Sequence, residues 1–163
     1  MAIGSLDADG DPTVAVEIIG AFGQPTTFTC VVDTGFTGFL SIPLLQAFPV
    51  GLVLAGTRPM VFANGAVENK LICLGVARVD GVEKSGLIVI ENESKQVLLG
   101  MDFLKKFGFK LLVCPTTGQI ELVPAADGFT IPAAQAVSAA TQPAALPAAQ
   151  PATATTPPGA IQI

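Results

Sequence analysis

A chain of 163 residues predicts one domain, and a net charge of −5 with no histidine removes several functions at once. The densest basic group, Lys105-Lys106 and Lys110, is too sparse to displace counterions from phosphate, so no nucleic-acid partner is expected. Without histidine there is no Ser-His or Cys-His pair, and without an HExxH segment or a cysteine cluster there is no zinc-bound water; no metal and no cofactor is expected.

The first residues, Met1-Ala-Ile-Gly-Ser-Leu-Asp7, contain neither a basic region nor an apolar stretch that would direct secretion. Asp7, Asp9 and Asp11 imitate the start of a calcium loop. Pro12 replaces the glycine such a loop needs at its sixth position and Ile18 occupies the twelfth, so a solvated turn is expected. Thr13–Ile19 is β-branched and partly alternating, which predicts a strand; Gly20-Ala-Phe-Gly23 turns the chain, and Pro25–Val32 returns as a second strand ending at Asp33. Phe39–Ile42 continues extended, and Pro43–Phe48 has Pro at the start of one helical turn.

Arg58–Phe62 and Ala66–Cys73 flank Asn64-Gly65, a dipeptide suited to a type I′ turn, so they predict a projecting hairpin. Leu74–Val79 and Val82–Ile90 form another hairpin about Asp80-Gly81. Asp102–Phe107 predicts a helix, closed by Gly108 and with Lys105 and Lys106 placed to complement its dipole. Phe109–Cys114 and Ile120–Val123 follow, joined through Pro115-Thr-Thr-Gly118. Many short strands and one short C-terminal helix imply an all-β domain over residues 1–123, a small closed β-barrel.

From Pro124 onward the chain is mainly Ala, Pro, Gln and Thr, and no charged side chain follows Asp127. Such a composition cannot offset the entropy of ordering, and six prolines between Ile131 and Ile163 exclude a long helix, so 124–163 reads as a disordered tail. The same prolines, with Gln and Thr, make a membrane span unattractive, and no membrane partner is expected. Cys30, Cys73 and Cys114 are odd in number and widely spaced, which suggests buried reduced thiols and a cytoplasmic location.

The most informative segment is Asp33-Thr34-Gly35-Phe36-Thr37-Gly38, entered from Cys30-Val31-Val32. A carboxylate at the end of an apolar strand costs several kcal/mol unless it is hydrogen-bonded or paired, so a chain that keeps one there has a use for it. Val97-Leu98-Leu99-Gly100-Met101-Asp102-Phe103-Leu104 forms a second motif, and Phe62-Ala63-Asn64-Gly65-Ala66 lies between the two. In this order and spacing, over roughly Val14 to Val123, the chain resembles the retropepsin-like aspartic proteases, the single-domain retroviral type. The first motif corresponds to their Asp-Thr/Ser-Gly loop, the second to their hydrophobic-hydrophobic-Gly segment and helix, and the third to their flap. Phe36 departs from the usual Ala or Ser and resembles prokaryotic members instead.

The resemblance implies an endopeptidase in which two carboxylates share a proton, one activating water while the other protonates the carbonyl oxygen. One chain supplies one such loop, so the second must come from another copy: a homodimer placing Asp33 against its mate across a twofold axis. By the same resemblance Asp33 is catalytic, Thr34 locks the two loops, Gly35 brings its N–H to the carboxylate, and Thr37 tunes the pair. Phe62, Ala63, Asn64 and Gly65 of the flap then contact a peptide or protein substrate. Asp102 reads more simply as an acid in the first turn of a helix, where N–H groups favour it. Sugar-kinase and phosphatase loops share parts of Val32-Asp33-Thr34-Gly35, but they need two large α/β domains or a second Asp where Gly35 stands. A non-catalytic peptide-binding or scaffold dimer of the same fold is the remaining alternative.

Overall fold

The structure is a computed structural model that describes residues 2–61 and 65–125. The flap positions Phe62, Ala63 and Asn64, and the tail from residue 126, lie outside the described residues. The described chain runs β1 (Ala2–Leu6), β2 (Pro12–Ile19), β3 (Pro25–Val32), β4 (Leu40–Pro43), α1 (Leu44–Val50), β5 (Val53–Val61) and β6 (Val67–Val79). It continues with β7 (Val82–Glu91), β8 (Val97–Leu99), α2 (Met101–Phe107), β9 (Phe109–Cys114) and β10 (Gln119–Pro124). No helix among the described residues is long and apolar enough to cross a membrane.

Six strands close on themselves in the order β2-β3-β8-β4-β7-β6, with β6 returning to β2 through Glu17–Arg78, Ile18–Ala77 and Ile19–Val76. Arg78 reinforces this seam by reaching both Glu17 of β2 (3.3 Å) and Glu83 of β7 (2.6 Å). The first half of β2 pairs instead with β1, which carries β10 and β9 outward; β5 extends the other side from β6. This is the all-β barrel expected from the run of short strands.

The local chemistry explains where the elements begin and end. Asp7 joins β1 to β2 by accepting the N–H groups of Asp9 (3.0 Å) and Asp11 (2.8 Å) on one carboxylate oxygen, so the acidic run is a turn. Asp80 and Gly81 have φ of 48° and 77°, the left-handed pair that a two-residue hairpin between Val79 and Val82 requires. Gly108 ends α2 with φ 65° and donates to the carbonyls of Leu104 and Lys105.

Four details differ from the sequence expectation. Ala2–Leu6 is a strand, unmarked because it contains Gly4; a side chain at Gly4 would collide with the Thr13 carbonyl, so the glycine permits the close approach to β2. The described residues hold two helices rather than one, since the turn after Pro43 continues to Val50 and holds Pro49 in its last turn before Gly51 (φ 68°). β6 is one unbroken strand of 13 residues, where two were expected. The last described pair of the β5–β6 hairpin is Val61–Val67, so the strands stop one residue short of Phe62 and Ala66 on each side; Gly65 has positive φ, 81°, while Asn64, the other residue of the expected turn, lies outside the described residues.

The core fills the barrel and its α2 end. Val14, Val16 and Ile18 of β2 face Cys30 and Val32 of β3, Leu40 and Ile42 of β4, Ile88 and Ile90 of β7, and Leu99 of β8. Phe103 of α2 is fully buried, with its ring centroid 5.5 Å from Phe39 and 4.5 Å from Phe107. Lys106 lies over the other aromatic partner, 5.0 Å from the Phe39 ring centre. Truncating Phe103 to Ala is expected to cost about 3–5 kcal/mol, the usual range for emptying an aromatic site in a core. A urea midpoint that falls accordingly, with the slope unchanged, checks it.

Candidate active site

The parallel pairing of β3 with β8 brings the two sequence motifs together. Cys30, Val31 and Val32 run beside Val97, Leu98 and Leu99, so Asp33 and Gly100 leave the sheet side by side, and the Asp33 N–H donates to the Leu99 carbonyl at 2.9 Å. The Asp33 carboxylate is half-buried, and its Oδ1 accepts the Gly35 N–H at 2.8 Å. A side chain at Gly35 would press on that same oxygen at 3.2 Å. One oxygen is thereby fixed by the loop while the carboxylate stays accessible at its edge.

The loop is stitched to α2. A helix leaves its first N–H groups without internal partners, and α2 has no side-chain cap. Met101 N–H donates to the Phe36 carbonyl (2.8 Å) and Asp102 N–H to the Gly38 carbonyl (3.1 Å), while Gly100 N–H reaches the Phe39 carbonyl (3.2 Å). The carbonyls of the Asp33 loop therefore cap the helix, and the helix fixes the loop. Gly38 and Gly100 make room for Phe36: a side chain at Gly38 would enter the Phe36 ring, and one at Gly100 would strike the Phe36 and Gly38 carbonyls. The departure at Phe36 thus comes with two glycines that accommodate it.

Strand register separates the two faces of the sheet. Val32, Leu99, Leu40, Ile88 and Cys73 form a lateral row on the core side. The next row, Val31, Leu98, Ser41, Val89 and Ile72, faces the other way. On this second face a groove of about 380 Å³ opens on Asp33, walled by Gly35 and Phe36 of the loop, Met60 and Val61 at the end of β5, and Ser41, Glu91, Ser94 and Leu98. Glu91 is anchored by Lys70 at 2.7 Å, and Lys70 also holds Glu68 at 2.9 Å. The two carboxylates raise the Lys70 pKa, chiefly through the Glu91 hydrogen bond.

Of the residues expected from sequence, Asp33 and Gly35 border this groove, and Thr34 and Thr37 are exposed. Thr34 lines a second cleft, about 460 Å³, with Asp33, Leu98 and Leu111. Gly65 is described and exposed; the remaining flap positions are not among the described residues. Asp102 pairs with Lys106 at 3.3 Å along its own helix and does not line the groove. Burial pushes the Cys30 thiol up to about 12, and also raises Cys73. The third thiol departs from expectation: Cys114 is exposed on β9, and hydrogen bonds from Thr117 lower its pKa. Sequence reading missed Ser41, Met60, Glu91 and Leu98, whose common face follows only from the register between distant strands.

A barrel of this topology, with an Asp-Thr-Gly loop clamped to a short helix, defines the class of acid-protease folds. Comparison with solved structures agrees. The EIAV protease, solved in complex with the inhibitor HBY-793, matches with a TM-score of 0.51 and 16% identity, over 66% of this chain and 97% of that one. A retropepsin-like aspartic protease from Rickettsia conorii aligns at 17% identity over 72% of this chain and 86% of its own, with a TM-score of 0.48. No protein-family model matches the sequence, and no curated protein does. The match to the EIAV protease shows that the chain has the retropepsin-like fold.

Proposed function

We propose that the protein is an aspartic endopeptidase whose active site forms when two copies bring their Asp33 carboxylates together across a twofold axis. The observation that carries this reading is the setting of Asp33: a carboxylate at a strand end, one oxygen held by the Gly35 N–H, beside a groove wide enough for side chains. One carboxylate alone cannot act as both base and acid toward the same carbonyl, and a twofold axis brings in its equal from the same sequence. In the dimer one Asp33 takes a proton from water as the other, protonated, hydrogen-bonds the scissile carbonyl. In this reading Thr34 and Thr37, both exposed on the same loop, meet the partner copy and the pair of acids. The strands flanking residues 62–66 carry the flap over the substrate, with Met60 and Val61 at its base. The reading extends to a cytoplasmic location, supported by three free cysteines.

The test is turnover of a peptide mixture over a dilution series, with and without pepstatin, alongside sedimentation of the same samples. We expect pepstatin-sensitive cleavage whose rate per chain falls as the dimer dissociates. Full activity in a demonstrated monomer, or cleavage indifferent to pepstatin, overturns the proposal. Peptide binding by the dimer without any cleavage selects the scaffold alternative.

A further inference from the structure

Among the described residues two polar side chains are buried, Thr13 and Ser41, and they differ in one respect. Thr13 donates its hydroxyl to the Ser5 carbonyl at 2.8 Å, whereas the Ser41 Oγ has no hydrogen-bond partner among the described residues. Ser41 is 3% exposed, sits between Leu98 and Val89 in its lateral row, and lines the groove beside Asp33. Ala at this position would avoid burying an unpaired hydroxyl, so the serine works against the stability of the free protein. A ligand that supplies the missing partner would explain its place.

The neighbouring polar group in the groove is Glu91. On β7 it lies two residues from Val89, on the same face, and its carboxylate is held toward Lys70. Because Lys70 is shared between Glu91 and Glu68, the three side chains together carry one negative charge. Among the described residues no Lys or Arg lines the groove, and Asp33 adds a second acid to it. Of the other side chains of the wall, Phe36, Met60, Val61 and Leu98 are apolar, and the Ser94 hydroxyl is already engaged, donating to the Gln96 carbonyl at 2.9 Å. An apolar channel that ends at a carboxylate and an unpaired hydroxyl suits a long aliphatic stem with a cationic, multiply donating head.

We propose that Ser41 and Glu91 form a recognition subsite beside Asp33 that takes a basic side chain, Lys or Arg, of a peptide substrate. The stem lies along Phe36, Met60 and Leu98, and the head donates to the Glu91 carboxylate and the Ser41 Oγ. This rests on the groove being the peptide site of the proposed protease, so the experiment has a cleavage arm and a binding arm.

In the cleavage arm, products of a peptide library give the residues selected at each position, followed by matched peptides carrying Lys, norleucine or Glu at the selected one. Lys is expected to exceed norleucine by about tenfold in kcat/KM, the effect of one hydrogen bond to a charged group, with Glu poorest. Glu91→Gln should bring the Lys-to-norleucine ratio close to unity. Ser41→Ala should lower the ratio while leaving Tm equal or higher, since it removes an unpaired hydroxyl; a fall in Tm marks a structural role instead and overturns the assignment of Ser41. In the binding arm the same peptides are titrated onto the Asp33→Asn dimer. Cleavage with no basic preference, or a preference unmoved by Glu91→Gln, overturns the subsite and leaves the protease standing. Preferential binding of the Lys peptide with no cleavage by the unaltered chain keeps the subsite and overturns the protease. Neither binding nor cleavage overturns both.

Discussion

If the proposed function holds, Asp33→Asn is expected to abolish peptide turnover, by at least about a thousandfold, within the range that general acid–base catalysis contributes, while leaving the chain folded and the proposed dimer intact. The substitution is nearly isosteric, and an amide oxygen can still accept the Gly35 N–H that the carboxylate accepts at 2.8 Å. The backbone contacts of the loop, from Asp33 N–H to Leu99 and from Met101 N–H to Phe36, do not involve the side chain at all. In the proposed mechanism, what disappears is the capacity to take a proton from water and to share one with the partner carboxylate. Asp102→Asn provides the contrast. That carboxylate meets Lys106 on the surface of α2, and losing one such pair costs about 0.2–0.5 kcal/mol with little change in turnover. Cleavage assayed by chromatography, with circular dichroism and sedimentation on the same samples, separates the outcomes. A folded dimer that loses turnover through Asp102→Asn but keeps it through Asp33→Asn would falsify the assignment of roles.

The parts of this protein that were legible in its sequence are those fixed by neighbouring residues. β3 runs from Pro25 to Val32 as its composition indicates, because Pro25 starts it and the charged Asp33 leaves the apolar run. The β6–β7 turn falls on Asp80-Gly81 because few other residue pairs accept two positive φ values. α2 stops at Gly108 for the same kind of reason. The groove was not legible. Ser41, Glu91 and Leu98 come from three strands, and they share a face only through the parallel pairing of β4 with β7 and the antiparallel pairing of β4 with β8. A shift of one residue in either register would send Ser41 to the core and Leu40 to the groove. Likewise Ala2–Leu6 has little strand character of its own and is extended because β2 and β10 pair with its two sides. The β5–β6 hairpin lies between these cases: its two strands were visible, but the pair at which they end, Val61 with Val67, was not.

Gly100→Ala should destabilise the fold by about 3 kcal/mol or more, at or beyond the top of the usual range for overpacking. Gly100 has φ −101° and ψ −175°, an extended conformation open to any residue, so the cost does not come from backbone preference. It comes from collision. The added methyl would overlap the Gly38 and Phe36 carbonyls, which accept the Asp102 and Met101 N–H groups at 3.1 and 2.8 Å. A side chain can rotate away from a new methyl group, but these two carbonyls can yield only by giving up the hydrogen bonds that cap α2. The helix would then lose the partners of its first N–H groups, and the Asp33 loop would lose its anchor. Peptide turnover should therefore fall further than the loss of folded protein accounts for, because the acid is displaced even in chains that remain folded. Gly118→Ala is the matching control. Its φ is 69° with nothing near the added methyl, so it should cost only about 1 kcal/mol, from the left-handed conformation alone. Urea midpoints of the two variants decide between the explanations. If Gly100→Ala costs no more than Gly118→Ala, the loop and helix are not clamped together through Gly100, and Asp33 owes its position to the β3–β8 pairing alone.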